Sequence, residues 1–228
     1  ACFKDLSLDT LPLSSFYLLV DYWAKIGVGK KGGTATCEGD QIGLSAHGSM
    51  FVYSNPTASE RAGIGEAHGE INWEVFGPAP EEGGLKFLEE HMNNYCDDAK
   101  QNAFHTKSNM DATIEVFLEG RPWLRGFRQA RVQSDNAANY RDPTTEVDLY
   151  CIGTRCFSEA GMGKDEGDGN GAVIKCMFKR KRDECEHGLE GAGDLLKIGH
   201  GMSVPGQIHA RLHVDRSKED RGIDGRDP

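Results

Sequence analysis

Residues 111–119 have the sequence DATIEVFLE, in which apolar and polar side chains alternate. Residues 207–215, QIHARLHVD, alternate in the same way, as do residues 70–75 and 146–151. A strand turns successive side chains to opposite faces, so a period of two indicates a strand with one buried and one solvated face. The sequence therefore predicts an antiparallel sheet with one solvated face.

Three segments have features of helices. Residues 14–26 are apolar nearly all round, begin at a serine that suits a helix N-cap and stop before a glycine. Residues 84–104 carry an apolar stripe at helical spacing, with two glutamates just before them. A weaker helical pattern over 181–197 is interrupted by three glycines, each of which disfavours a helix.

The expected fold class is α+β. It is a curved, mainly antiparallel sheet of about eight strands packed against two or three helices. Because no interior linker separates two bodies, residues 1–215 are predicted to form a single domain. Residues 216–228 have mixed charge and one aliphatic side chain, which predicts a flexible tail or an arm that wraps a partner. Weaker strand patterns complete the count at 34–45, 49–54, 123–133 and 172–179.

The charge balance argues against some classes of partner. The 228 residues include 26 basic and 36 acidic side chains, a net charge of −10, which opposes binding to nucleic acid and to anionic membranes. No apolar run is long enough to cross a bilayer. One basic cluster, Lys175 with Lys179–Arg182, is solvated surface, a docking patch for an acidic partner or a processing site.

Seven cysteines are many for a reducing cytosol, and their odd number leaves at least one free thiol. A free thiol could be buried, could bridge to another chain, or could carry a covalently attached prosthetic group. The chain begins at Ala1 without Met, as after cleavage of a targeting peptide or trimming of an initiator. We therefore expect a secreted or organelle-lumen protein rather than a cytoplasmic one. One or two disulfides are predicted, drawn from Cys151, Cys156, Cys176 and Cys185.

Residues 164–174, KDEGDGNGAVI, have the acids and glycines of a calcium-binding loop. An EF-hand loop that starts at Glu166 requires a bidentate carboxylate at its twelfth position, but Met177 stands there. The alternatives are a flexible loop rich in turn residues and a weak calcium site. The ligands of such a site would be Asp165, Asp168 and Asn170.

Residues 120–133, GRPWLRGFRQARVQ, concentrate guanidinium and aromatic side chains. These types are enriched at the centres of interfaces, and arginine binds carboxylates through two parallel hydrogen bonds. The segment therefore predicts a docking surface for a protein partner or a small anionic ligand, unless it is only a rim of surface ion pairs. The predicted contact residues are Arg121, Trp123, Arg125, Phe127, Arg128 and Arg131.

A catalytic alternative rests on polar side chains of the predicted strands. If the sheet curls into a half-barrel, His209 and His213 would face Glu115 and Glu119 across the concavity and provide acid–base groups. Otherwise they form a solvated row. The sequence contains no nucleophile elbow, phosphate loop, dinucleotide fingerprint or H-E-x-x-H motif.

Three functions therefore compete. The first is a non-catalytic ligand-binding or assembly subunit that uses the arginine-rich segment, in an oligomer or larger complex. The second is an enzyme with the His/Glu site, and the third is a carrier of a cysteine-attached group. The sequence identifies no ligand, substrate or partner.

Overall fold

The described part of the chain forms one mixed β-sheet with helices packed on both faces. A computed structural model provides the structure. It describes residues 11–27, 43–125, 129–134, 137–141, 152–157, 166–184, 189–202 and 206–217.

The described strands are joined in the order β5-β4-β1-β2-β3-β6. β1, β2 and β3 are antiparallel neighbours, whereas β4 is parallel to β1, β5 is parallel to β4, and β6 is parallel to β3. The sheet is open, with β5 and β6 at its edges. The six strands are β1 (Ser15–Gly27), β2 (Gly43–Ser54), β3 (Phe87–Cys96), β4 (Gln129–Ser134), β5 (Ile152–Phe157) and β6 (Gln207–Leu212).

Local sequence signals fix two helix starts. Thr57 and Glu60 form a reciprocal capping box at the first helix, and the Asn102 side chain accepts a hydrogen bond from the His105 backbone N–H at the second. None of the described helices is long and apolar enough to cross a bilayer. The α-helices among the described residues are α1 (Ala58–His68), α2 (Ala103–Glu119), α3 (Ala138–Arg141), α4 (Glu166–Glu184) and α5 (Ala192–His200); short 3₁₀ helices cover Trp73–Phe76, Pro80–Glu82 and Pro122–Leu124.

Two apolar layers enclose the sheet. On one side, called the α2 face, Phe117 of α2 stacks on Phe51 of β2 with ring centroids 3.7 Å apart. On the other side, called the α4 face, Ile174 and Phe178 of α4 pack with Tyr95 of β3. The interior strands are consequently buried from both sides.

The predicted helices at 14–26 and 84–104 are wrong, because these segments contain β1 and β3. In β1, Leu18 faces one apolar layer and Leu19 the other, so side chains of both parities are buried. A doubly buried strand loses its alternation, and its apolar run then matches that of a buried helix. The weak pattern at 181–197 spans the end of α4 and part of α5.

The predicted strand at 111–119 is also wrong, because it forms the second half of α2. The buried stripe of α2 includes Thr106, Asn109 and Thr113, and these polar core residues conceal the helical period. Residues 172–179 lie in α4 rather than in a strand, and 70–75 run into the 3₁₀ helix at Trp73–Phe76.

The α+β class is confirmed, and so is the strand at 49–54. Residues 207–212 form β6, whereas 213–215 follow it without strand structure. Within the described ranges the sheet has fewer strands than the eight expected, and it is mixed and not strongly curled. The predicted strand at 146–151 lies outside the described residues. Most of the one at 34–45 does too, and only the start of the predicted tail is described.

Candidate functional site

A polar row crosses four strands on the α4 face. Asp21 of β1 pairs with Gly48 of β2, Gly48 pairs with Asn93 of β3, and Asn93 pairs with His209 of β6. Directly paired residues point to the same face of a sheet, so these four positions share one side. We call Asp21, Gly48, Asn93 and His209 the transverse row.

Asp21 is the single acidic residue in the sequence of β1, which lies between β2 and β4 inside the sheet. Its neighbours Leu19 and Val20 are buried, and Asp21 itself is half-buried. Withdrawing a carboxylate from water is costly unless a hydrogen-bonding or charged partner or a metal ion compensates. A half-buried carboxylate in an otherwise apolar strand makes Asp21 a candidate functional residue.

The parallel pairing of β1 with β4 extends to Val20 and Ser134. In the sequence, Asp21 follows Val20 and Asp135 follows Ser134, although Asp135 itself lies outside the described residues. In open sheets, ligands bind in the crevice at the carboxyl ends of parallel strands. In the sequence, an aspartate therefore follows the last parallel pair on both sides, in the middle of β1 and directly after the end of β4.

Asn93 is fully buried, and neither its amide nitrogen nor its amide oxygen has a hydrogen-bond partner. Most buried side-chain amides are hydrogen-bonded, so this pair of atoms is an exception to be explained. Gly48 contributes no side chain between Asn93 and Asp21. Two strand spacings separate their backbones, a distance of about 10 Å.

His209 of β6 is the last residue of the transverse row and lies next to Asn93. Its Nδ1 lies 2.8 Å from the Tyr95 hydroxyl, whereas its buried Nε2 has no hydrogen-bond partner. Burial and, to a lesser extent, His200 lower the pKa of His209 to about 4, so the ring is neutral at pH 7.

The helices on this face leave the row between two apolar clusters. Ala46 and Tyr95 belong to the cluster under α4 and α5, and Leu19 and Met50 belong to the cluster on the opposite side of the row. Asn170, near the start of α4, accepts a hydrogen bond from Gln207, two residues before His209. The beginning of α4 therefore lies close to the row.

A second polar cluster lies buried on the α2 face and resembles a nucleophile–base pair only superficially. Ser45 Oγ is 3.1 Å from His105 Nε2, and Asn109 Nδ2 is 3.0 Å from His105 Nδ1. Because Asn109 Nδ2 also donates to the His105 carbonyl, its N–H groups face the ring, so Nδ1 accepts and Nε2 carries the proton. Ser45 in turn donates to the Asp98 carbonyl at 2.8 Å. His105 therefore cannot take a proton from Ser45 in this arrangement, and the cluster is a structural network.

A cleft of about 550 Å³ opens beside the end of α2. In its wall, the buried Arg121 guanidinium forms an ion pair with Glu90, and its Nε donates to the Tyr53 hydroxyl at 3.1 Å. Tyr53 in turn donates to Glu90. The carboxylates of Glu70 and Glu119 also line the cleft. Since Glu90 neutralises Arg121, the charge that Glu70 and Glu119 contribute to the cleft is not balanced by Arg121.

The predicted arginine-rich surface is divided among different parts of the fold. Arg121 and Trp123 are buried on the α2 face, whereas Arg125 is exposed. Arg131 lies on the α4 face, where it donates to the Tyr17 hydroxyl at 3.0 Å. Phe127 and Arg128 lie outside the described residues. The segment is therefore not one strand with one binding face.

The four predicted acid–base residues do not meet. Glu115 and Glu119 are exposed on α2, and His213 is exposed after β6. His209 points to the α4 face, on the other side of the sheet from α2. No concavity brings them together, which removes the geometric basis of that catalytic site.

The predicted calcium loop coincides in part with α4, so residues from Glu166 onward are helical rather than a loop between strands. Asp168 lies in the first turn of α4, and the Asn170 side-chain oxygen already accepts from Gln207. Asp165 lies outside the described residues. Within the described part, no three His, Cys, Asp or Glu side chains are grouped to hold a metal.

Two cysteines, Cys96 and Cys176, are free thiols. Cys96 is buried and free, and Cys176, a predicted disulfide partner, is exposed and free on α4. Cys151 and Cys185 lie outside the described residues, and Cys156 lies in β5. No disulfide occurs among the described residues. A cysteine-attached group stays a prediction.

Sequence reasoning missed Asp21 and Asn93. The available signal was a lone carboxylate inside the apolar run of residues 15–27, which suits neither a buried helix nor a buried strand without a special role. Comparison with known proteins adds no functional information, because no family model, curated protein or solved structure matches the chain.

Proposed function

We propose that the protein is a divalent-metal-dependent enzyme that hydrolyses or transfers phosphate esters, with Asp21 and Asp135 as metal ligands. One observation carries the proposal. Val20 and Ser134 are register partners on the parallel strands β1 and β4, and each is followed in the sequence by an aspartate.

The spacing suits one small cation. Neighbouring strands lie about 4.8 Å apart, and carboxylate oxygens bind Mg²⁺ at about 2.1 Å, so two carboxylates on adjacent strands can share one ion. Asp165, which directly precedes α4 in the sequence, is a third proposed ligand. This metal site replaces the calcium loop predicted from the sequence.

The choice of a phosphate substrate follows from the small number of carboxylates. Mg²⁺ in such sites usually keeps waters and completes its coordination with substrate phosphates, where it polarises the phosphoryl group and activates water. The exposed side chains of Lys175 and Lys179 on α4 add local positive charge. They support an anionic substrate despite the net charge of −10.

The experiment is a calorimetric Mn²⁺ titration of the wild-type chain and of Asp21→Asn, which keeps the side-chain shape and removes its charge. We expect Mn²⁺ affinity to fall about tenfold or more, together with any Mn²⁺-dependent hydrolysis of p-nitrophenyl phosphate or its diester. Asp111→Asn is the matched control, because Asp111 is an exposed residue of α2 paired with Lys107. Unchanged Mn²⁺ affinity in Asp21→Asn would rule the proposal out.

A second candidate function is ligand binding in the cleft beside Arg121. Because Glu90 and Arg121 neutralise each other, the carboxylates of Glu70 and Glu119 give the cleft an excess of negative charge. Phe76 and Ile208 add apolar surface to its lining. These features favour a ligand with an apolar body and a positive group, rather than the small anion predicted from the arginines. Titration with benzylammonium should perturb the fluorescence of Trp73 and Trp123, whose rings contact Phe76 in tilted and edge-to-face arrangements, and Glu119→Gln should weaken that effect.

A further inference from the structure

The outer edge of β6 borders the cleft beside Arg121. Among the described strands β6 lies at an edge of the sheet, and three consecutive residues at its start, Gly206, Gln207 and Ile208, line the cleft. The Gln207 side chain points to the opposite face of the sheet, where its Nε2 donates to Asn170 of α4. Gln207 therefore contributes its backbone rather than its side chain to the cleft.

The backbone polar groups of Gln207 face away from the sheet. In a parallel pair, residues whose N–H and C=O groups bond to the neighbouring strand alternate with residues whose groups face outward. The His91 N–H donates to the Gly206 carbonyl at 2.8 Å. Gly206 and Ile208 therefore face β3, and Gln207 faces outward. Within the described part of the chain no strand pairs with this side of β6, and such an edge is a template for a further strand.

The free part of this edge is short in the described structure. Two residues further along β6, the Nε2 of His200 of α5 lies 3.1 Å from the outward carbonyl oxygen of His209. A carbonyl oxygen only accepts, so the His200 ring donates and occupies this position. An added strand can therefore exchange two hydrogen bonds with Gln207 but cannot continue the same pairing at His209. This limit favours a short extended segment over the edge strand of a second copy.

The pleat decides which side chains of such a segment enter the cleft. The residue opposite Gln207 turns its side chain to the α4 face, and the residues before and after it turn theirs to the α2 face. On that face Ile208 and Phe76 offer apolar surface. Glu70 and Glu119 offer negative charge. One apolar and one basic side chain, two residues apart, complement this lining.

We propose that the cleft binds an extended peptide segment, which pairs with Gln207 on the outer edge of β6 and places a basic and an apolar side chain, two residues apart, in the cleft. The proposal rests on the second candidate function, ligand binding in this cleft, and names the class of ligand. Main-chain hydrogen bonds hold the segment at the edge, and the cleft selects its side chains.

The test compares two substitutions at one position. Gln207→Pro removes the outward N–H and adds a ring at the edge, whereas Gln207→Ala removes the same side-chain contact with Asn170 and keeps the N–H. Because this N–H faces away from β3, Gln207→Pro leaves the hydrogen bonds between β3 and β6 in place. Binding of acetyl-Thr-Lys-Thr-Leu-Thr-amide is followed by the fluorescence of Trp73 and Trp123, and circular dichroism verifies each fold.

We expect the peptide to bind the wild-type chain and Gln207→Ala with affinities within about twofold, and Gln207→Pro to weaken binding about tenfold or more. Glu119→Gln should weaken binding about threefold or more, because it removes a charge that faces the lysine. Glu115→Gln is the matched control, an exposed change on α2 outside the cleft lining, and should not alter the affinity.

Modified peptides test the edge without changing the protein. N-methylation of the central threonine removes the N–H that bonds to the Gln207 carbonyl, and it should weaken binding about tenfold. N-methylation of the leucine removes an N–H that faces away from β6, so it should have little effect. If Gln207→Pro does not fold, this pair of peptides decides the question.

Equal binding of the peptide to Gln207→Pro and Gln207→Ala, or no effect of the central N-methyl group, overturns the proposal. So does a peptide that fails to bind a chain that still binds benzylammonium, which would leave the ligand site standing without its strand addition. Sedimentation velocity identifies the other occupant: a wild-type dimer that Gln207→Pro dissociates would assign the edge to a second copy and also overturn the proposal. Failure of the cleft function itself is recognised separately, by benzylammonium that leaves the fluorescence unchanged.

Discussion

Asp21 and Gly48 are paired across β1 and β2, on the face of the sheet that α4 covers. The pairing places a residue without a side chain next to the only acidic residue of β1. A glycine inside a strand weakens the strand and often marks a close approach of a ligand or of another backbone. The half-buried Gly48 lies within the long strand β2, away from either end.

Filling this position should separate stability from binding. We expect Gly48→Val to fold, because valine suits a strand, while its side chain, next to Asp21, weakens Mn²⁺ binding. Circular dichroism and Tm verify the fold, and calorimetry measures Mn²⁺ affinity. Wild-type Mn²⁺ affinity in a folded Gly48→Val would show that the ion does not bind beside Gly48.

The buried Glu90–Arg121 pair should be strongly coupled. Glu90→Gln leaves the guanidinium without its carboxylate, and the free energy of unfolding should fall by about 3–5 kcal/mol. Arg121→Met should lower the free energy of unfolding by a similar amount. The double variant should lose less than the sum of the two single losses, because neither buried charge then remains without its partner. Urea unfolding measures all three. Glu184→Gln breaks an exposed ion pair on α4 and should change nothing measurable.

Acid should destabilise the fold through its buried histidines. Burial, together with the charge of His105, lowers the pKa of His47 to about 3, whereas an unfolded histidine titrates near 6.5. Below pH 6.5 only the unfolded chain takes up this proton, so the stability that is complete above pH 6.5 is lost as the pH falls towards 3. The pKa values of His105 and His209, both lowered to about 4, act in the same direction.

His47 alone should contribute a slope of about 1.4 kcal/mol per pH unit across that window. Urea unfolding of the wild-type chain and of His47→Gln at pH 7, 6 and 5 measures it. The variant should lose less stability between pH 7 and pH 5 than the wild-type chain does. Equal losses would mean that His47 is protonated in the folded state.

Two glycine-to-alanine changes should have opposite signs. Gly63 is exposed in α1, and no atom lies within 4 Å of the place that an added Cβ would take, so Gly63→Ala should stabilise by about 1 kcal/mol. At Gly199 of α5 an added Cβ would lie 2.6 Å from His209 Nδ1, so Gly199→Ala should destabilise by about 1–3 kcal/mol. Thermal unfolding measures both. The loss of stability caused by Gly199→Ala should be smaller in a His209→Ala background. An equal loss in both backgrounds would contradict the clash.

Sequence patterns located two of the strand segments. In residues 207–212 the alternation was correct, and 49–54 lies in a strand as expected. Alternation failed at 111–119 because the buried stripe of α2 runs through Thr113 and Phe117, with polar side chains in the core and apolar Ile114 and Val116 only partly buried. A hydrophobicity pattern predicts structure only where apolar side chains are the buried ones, and in α2 several of the buried side chains are polar.

The candidate site was beyond any local pattern. Asp21, Gly48 and Asn93 are separated by 27 and 45 residues along the chain, and only strand register brings them into one row. Asn93 was inconspicuous in the sequence, because an unsatisfied amide can be recognised only when its surroundings are known. The arginine-rich segment was conspicuous in the sequence, yet its members Arg121 and Arg131 are on opposite faces of the sheet.

The amino-acid sequence by itself determined the α+β class, the caps that begin α1 and α2, and the presence of a carboxylate in an apolar run, because each depends on neighbours within a few residues. The tertiary structure alone decided which strands pair, in which direction and with which register. Those choices depend on burying both faces of β1 under separate helices, which is a property of the whole chain. They also pair Val20 with Ser134 and align Asp21, Gly48 and Asn93 in one row.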